Sequence, residues 1–202
     1  MAESSTTICN QALARVGAIR INDYDDDTET KVEAIYCRLF FTQTSRALMK
    51  DHYWPFAKSR VQLSANTVDP VFQYDYQYYL PTDFLRLVLF YNGSDKPDGR
   101  TYYTYELEGP HLLTNESAVY LRYIKHVTDV GLWDVLFTEC MILILASKLC
   151  MALKQNLDIK ADIDKDLTFL MHKVRAMDRN EEQVIGREAL RTWQSARYSD
   201  NA

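Results

Sequence analysis

Apolar residues repeat first at helical spacing, then in short alternating runs, then again at helical spacing, so the chain reads as helices, strands and helices in that order. Ile8, Ala12, Leu13 and Val16 share one face of a first helix, which Thr6 or Thr7 can cap and Gly17 can end. Val32, Ile35, Tyr36, Leu39 and Phe40 sit at i, i+3, i+4, i+7 and i+8, which predicts a second helix running to about Asp51 with that stripe inward. Pro55 in "HYWPFAKSR" disfavours helical geometry at Trp54 and breaks the pattern. Tyr53, Trp54 and Phe56 are expected to pin the resulting corner to the core.

From Ser59 to His126 the period shortens. "RVQLSA", "YDYQYYLP", "FLRLVLFY", "RTYYTYELEG", "HLLTN" and "SAVYLRYIK" predict about six strands, divided by turn signals such as "NGSDKPDG", read as a hairpin turn, and "EGP". Ten of the 14 tyrosines fall here, which sets this stretch apart from its flanks. Helical spacing returns with Trp133, Leu136, Phe137, Cys140, Met141, Ile144 and Leu145. Ile142, Leu143 and Ala146 fill the other faces, so this third helix should be buried nearly all round. A fourth helix, capped by Asp158, carries Ile159, Ile163, Leu167, Leu170, Met171 and Val174 as one stripe. The predicted fold class is therefore α+β: an antiparallel helical bundle (residues 1–58 and 127–178) with an inserted small antiparallel β-sheet or barrel subdomain (59–126). Residues 179–202 form a C-terminal tail of weak periodicity.

Composition narrows the function classes. The 202 residues, 47% hydrophobic, can bury a core without cross-links, and a formal charge of −5 disfavours a broad grip on nucleic acid. Four widely spaced cysteines form no C-x-x-C pair, and "MAESSTTICNQALARVG" has no basic region leading into an apolar run. "CMILILASKLCMAL" is interrupted by Ser147, Lys148 and Lys154 and reads as a core helix, so no membrane association is expected.

Candidate chemistry is sparse. "NDYDDDTETK" places Asp23, Asp25, Asp26, Asp27 and Glu29 together. As a calcium loop starting at Asp23 it puts Thr28 where glycine is needed and Ala34 where the bidentate glutamate is needed, so no metal is expected. The four histidines are scattered, and neither a nucleophile elbow nor a phosphate loop is present, so neither catalytic residues nor a cofactor is predicted. Glu106 and Glu108 share a strand face, the one pairing that could suit a hydrolase. The strand tyrosines alternate with acids and amides rather than cations, which favours sheet packing or a protein interface over a base-stacking platform.

The order of motifs adds a resemblance. "ICNQALARVGAIRINDYDDDTETKVEAIYCRLFFTQTSRALMKDHYWPFAKSRVQL", then "YQYYLPTDFLRLV", then "YELEGPHLLTNESAVYLRYIKHVTDVGLWDVLFTECMILILASKLCMAL" together resemble the head-to-tail adaptor proteins of tailed phages, the family that includes the tubular tail protein A of short-tailed phages. The resemblance covers about residues 8–175. It implies a structural virion protein rather than an enzyme: a homo-oligomeric ring, typically of twelve, beneath the portal protein and above the tail nozzle, assembled in the host cytoplasm. The double-stranded DNA genome passes through such a ring without sequence-specific binding. On that reading Asp23, Asp25, Asp26, Asp27 and Glu29 are candidates to line and repel within the channel. Trp193, as an aromatic anchor, with Arg187, Arg191 and Arg197 forms a candidate portal-docking tail. Two other classes stay open, a virion cell-wall hydrolase using Glu106 and Glu108 and a cellular protein-interaction module.

Overall fold

The structure is a computed structural model that describes residues 4–94 and 104–181, with side chains described as far as Met177. It is α+β, with four α-helices and two small antiparallel sheets among the described residues. Helix α1 (Ser5–Arg15) starts earlier than either threonine would place it, because the Ser4 hydroxyl accepts the Thr7 N–H at 3.1 Å. It stops as expected at Gly17. There a φ of +64° lets the Gly17 and Ala18 amides donate to the carbonyls of Ala14 and Leu13, at 3.2 and 3.0 Å.

Helix α2 (Val32–Asp51) spans the expected residues, and Tyr36 and Phe40 of the expected stripe pack on the core, but the fully buried face is a different one. Ala34, Cys37, Phe41, Thr44, Ser45, Leu48 and Met49 are buried, whereas Val32, Ile35 and Leu39 of the predicted core stripe are exposed, Leu39 at 61%. The inward residues are mostly small, which lets α2 approach α3 (Val135–Leu149) closely. The polar ones are satisfied: Ser45 Oγ donates to the Thr42 carbonyl at 2.9 Å, and Lys148 Nζ donates to Thr44 Oγ1 at 2.8 Å. Helix α3 is the hub, packed against α1, α2 and α4 (Leu157–Glu181). Together with the turn that follows it, α3 gives a helical stretch, Val135–Lys154, long and apolar enough to cross a membrane, yet 61% of its most apolar window is buried inside the protein, as a core helix requires.

Between α3 and α4 the chain passes through a π-helical turn, Cys150–Lys154, and a left-handed Gln155. Asn156, not Asp158, caps α4: its side-chain oxygen accepts the amides of Asp158 and Ile159 at 3.0 and 3.1 Å. The α4 stripe is placed as expected, with Ile163 and Val174 buried and Ile159, Leu167, Leu170 and Met171 packed on the core.

All six predicted strands form. They are β1 (Lys58–Leu63), β2 (Tyr76–Tyr79), β3 (Phe84–Tyr91), β4 (Tyr105–Glu108), β5 (His111–Thr114) and β6 (Val119–Lys125). They make two three-stranded sheets, β1-β6-β3 and β2-β5-β4. Because β3 pairs with β6 while β4 pairs with β5, the two strands flanking "NGSDKPDG" do not form the hairpin expected, and residues 95–99 of that stretch lie outside the described ones. The "EGP" turn does close a hairpin, with Gly109 at φ +54° ahead of Pro110.

Strand β3 is apolar almost throughout because both its faces are covered. Register shifts within Phe84–Arg86 and Leu87–Leu89 send Leu85 and Val88 toward the helical core, while Phe84, Leu87 and Phe90 pack in a second core with Leu63, Tyr78, Leu121 and Tyr123. Arg86 locks the two cores together. Its guanidinium donates to the Lys50 and Asp51 carbonyls at the end of α2, at 3.3 and 3.4 Å, and lies 4.4 Å from the Tyr53 ring centroid. Tyr53 is therefore a surface clamp, not the core anchor expected of it. Trp54 is the anchor: its indole donates to the Leu48 carbonyl at 2.9 Å and meets Phe137 edge-on at 5.0 Å.

Candidate functional site

The acidic stretch between α1 and α2 is folded by its own acids. Asn10 on α1 first fixes the entry to the loop, donating to the Ile21 carbonyl at 3.1 Å and accepting its amide at 2.9 Å. Glu29 then turns back under the loop. It is only 9% exposed, and its carboxylate accepts the Asn22 amide at 3.1 Å, the Asp23 amide at 3.3 Å and the Lys31 ammonium at 2.9 Å. These partners, Lys31 foremost, hold the Glu29 carboxyl below the usual range against the opposing effect of burial. Asp23 accepts the Thr6 hydroxyl and its own loop's Asp25 amide, while Asp26 accepts the Thr28 hydroxyl and amide at 2.6 and 2.9 Å, which lowers its pKa. Arg38 of α2 closes the turn by donating to the Asp26 and Glu29 carbonyls, each at 2.9 Å.

Of the five acids singled out from the sequence, then, Asp23, Asp26 and Glu29 are structural acceptors. Asp25 and Asp27 present their carboxylates to solvent; the Asp27 side chain is 94% exposed and its nearest cation, Arg38, is 4.0 Å away. Among the described residues no three His, Cys, Asp or Glu side chains converge as a metal site needs. Glu106 and Glu108 lie on strand β4, exposed along its whole length among the described residues, opposite Leu113 and His111. Arg187, Arg191, Trp193 and Arg197 lie outside the described residues.

The cysteines are structural. All four are buried and unbridged; Cys9 and Cys37 face one another between α1 and α2, a contact that with burial raises the Cys9 thiol. Burial, with help from Glu139 and Asp134, pushes Cys140 up to about 11. Thiols raised in this way, Cys9 and Cys140, are poor nucleophiles, whereas the contact with Cys9 lowers Cys37.

Two surface features were not anticipated. One is a groove of about 500 Å³ between α2, α3 and α4, walled by Phe40, Ile144, Met151 and Leu167 with Lys148 and Lys160 at its rim. The outward stripe of α2 runs into it through Phe40. The other is the β1–β2 connection, residues 64–75, whose Val71 is 97% and Phe72 77% exposed. A signal for the groove was present in the sequence, since α2 carries more apolar residues than one buried face can use. The β1–β2 connection gave none, because the exposure of its few apolar residues, Val71 and Phe72, is not encoded in any periodicity. No protein-family model matches the chain, and no curated protein matches it.

Proposed function

We propose that this chain is a structural subunit of a ring-shaped head-to-tail adaptor of a tailed phage, seated between the portal and the tail nozzle, with the double-stranded genome passing through the ring. The motif order over residues 8–175 suggests the reading. The observation that carries it is the apolar stripe Val32, Ile35 and Leu39, turned out along the long helix α2 and continuous with an apolar groove. A contiguous apolar strip of this kind marks a protein-binding face. The organisation into a helical bundle from both chain ends and an inserted β subdomain fits a subunit that makes ring contacts with one part and tail contacts with the other.

In this reading the acidic loop faces the lumen through Asp25 and Asp27, which repel phosphates without binding them. The C-terminal tail, including Trp193 and the three arginines, docks on the portal. The test is the mass, by light scattering during size exclusion, of the protein mixed with the portal ring of the same phage genome. The complex should gain about one 23.6 kDa subunit per portal chain. Two separate, unchanged peaks would overturn the proposal. A truncation after Asp178 should remain folded and fail to dock.

A further inference from the structure

We propose that the tip of the β1–β2 connection of one copy, Val71 and Phe72, seats in the α2–α3–α4 groove of the next copy. This rests on the ring reading and names the contact that would build it. The tip is held out from the fold. Its base is fixed by the Asn66 amide on the Gln77 carbonyl at 2.7 Å and by the Asp75 amide on Asn115 Oδ1 at 3.0 Å. Its crest is a three-residue turn, the Tyr74 amide donating to the Phe72 carbonyl at 3.0 Å across Gln73 at φ +73°. That turn is uncommon and strained for a residue other than glycine, and here it displays two large apolar side chains to water.

The groove complements the tip in shape and charge. Phe40, Ile144, Met151 and Leu167 offer an apolar floor large enough for a phenylalanine and a valine together. At the rim Lys160 is already paired with the Asp164 carboxylate, so the cation offered to the tip is Lys148, whose ammonium rests on a hydroxyl, Thr44, and over the Phe40 ring at 5.9 Å. From Val61 to Leu85 the chain carries Asp69, Asp75 and Asp83 and no lysine or arginine, so the tip arrives with carboxylates on either side. Tip and groove are different patches of one chain, and the tip's exposure shows that it does not fill its own groove. Such a pairing is head-to-tail: each copy gives a tip and receives one, which generates a ring when the rotation closes. A tip of two side chains is a small contact against the roughly 1,200 Å² of a standard interface, so the same neighbour must also cover part of the α2 stripe.

The test is a cross-link in the full chain. With Val71→Cys and Met151→Cys together, a short bismaleimide should yield a ladder of dimers, trimers and higher species; either single variant alone should stay monomeric, since the native thiols are buried. Adding Phe72→Asp should cut the ladder about tenfold or more, as loss of an aromatic anchor does, with an unchanged melting temperature. Dimers from a single variant, a cross-linked monomer only, or a ladder indifferent to Phe72→Asp would each overturn the inference. No ladder alongside a full portal complex would overturn this contact and leave the ring reading standing; no ladder and no portal complex would remove both.

Discussion

Two of the long connections of this protein, residues 16–31 and 64–75, differ in whether their side chains find partners within the chain. The acidic one is crowded with carboxylates and resembles a site, yet Asp23, Asp26 and Glu29 each accept hydrogen bonds from the loop's own amides and hydroxyls. The β1–β2 connection carries Val68, Val71, Phe72 and Tyr74 among polar residues and a proline, and there Val71 and Phe72 stand in water. What separates structure from potential function is whether the groups find partners within the chain. Charged groups in the acidic loop mostly do; apolar groups at the β1–β2 tip do not.

If that contrast is right, damage to the acidic loop should cost stability and damage to the β1–β2 tip should not. The largest effect is expected for Arg38→Ala, which strips the Asp26 and Glu29 carbonyls of charge-assisted donors. Thermal or denaturant unfolding should show a loss of about 2 kcal/mol, discounted from the full strength of two such bonds because the side chain is partly exposed. Asn10→Ala should follow at about 1–2 kcal/mol, since both backbone groups of Ile21 lose their partner. Equal stability of either variant to wild type would break the comparison.

A pH titration of stability sharpens it. Glu29 has its pKa lowered from an ordinary 4.5, so the folded state binds fewer protons than the unfolded chain as pH falls past that value, and its stabilisation is lost through the lowered pKa. His126 is lowered from 6.5, by burial first and then by Arg46, so stability should already begin to decline below pH 6.5. Glu29→Gln should flatten the acid limb alone, and amide exchange at Asn22 and Asp23 should accelerate. An unchanged acid limb would show that the loop is not held by this carboxylate.

The remaining effects should be small in stability. Phe72→Asp should unfold within about 0.5 kcal/mol of wild type, since the side chain contacts little, and change only assembly. Asp25→Asn with Asp27→Asn should be neutral in unfolding; if these carboxylates line a channel, the pair should slow DNA ejection, and unaltered ejection would remove that role.

Much of the architecture was legible in the chain. The 3.6-residue repeats located α1, α3 and α4, and the short tyrosine-rich runs located all six strands, because those periods reflect backbone geometry that any packing must respect. The all-round apolarity of α3 likewise announced the centre of the helical core. Gly17 and Gly109 marked a helix stop and a hairpin turn because their positive φ suits no other residue so well.

Which side of an element faces which neighbour was settled only in three dimensions. Helix α2 carries apolar residues on two faces, and hydrophobicity alone does not choose between them; packing against the rest of the helical core selected Ala34, Cys37, Phe41, Thr44, Ser45, Leu48 and Met49 and left Val32, Ile35 and Leu39 outside. Strand pairing was equally hidden, since β3 joins β6 across the chain rather than its neighbour β4. The partners that engage Asp23, Asp26 and Glu29 come from Thr6, the loop amides and Lys31, with Arg38 holding the loop's carbonyls. Sequence periodicity records the local geometry of each element; packing density and the satisfaction of buried polar groups belong to pairs of elements, and only the assembled fold fixes those pairs.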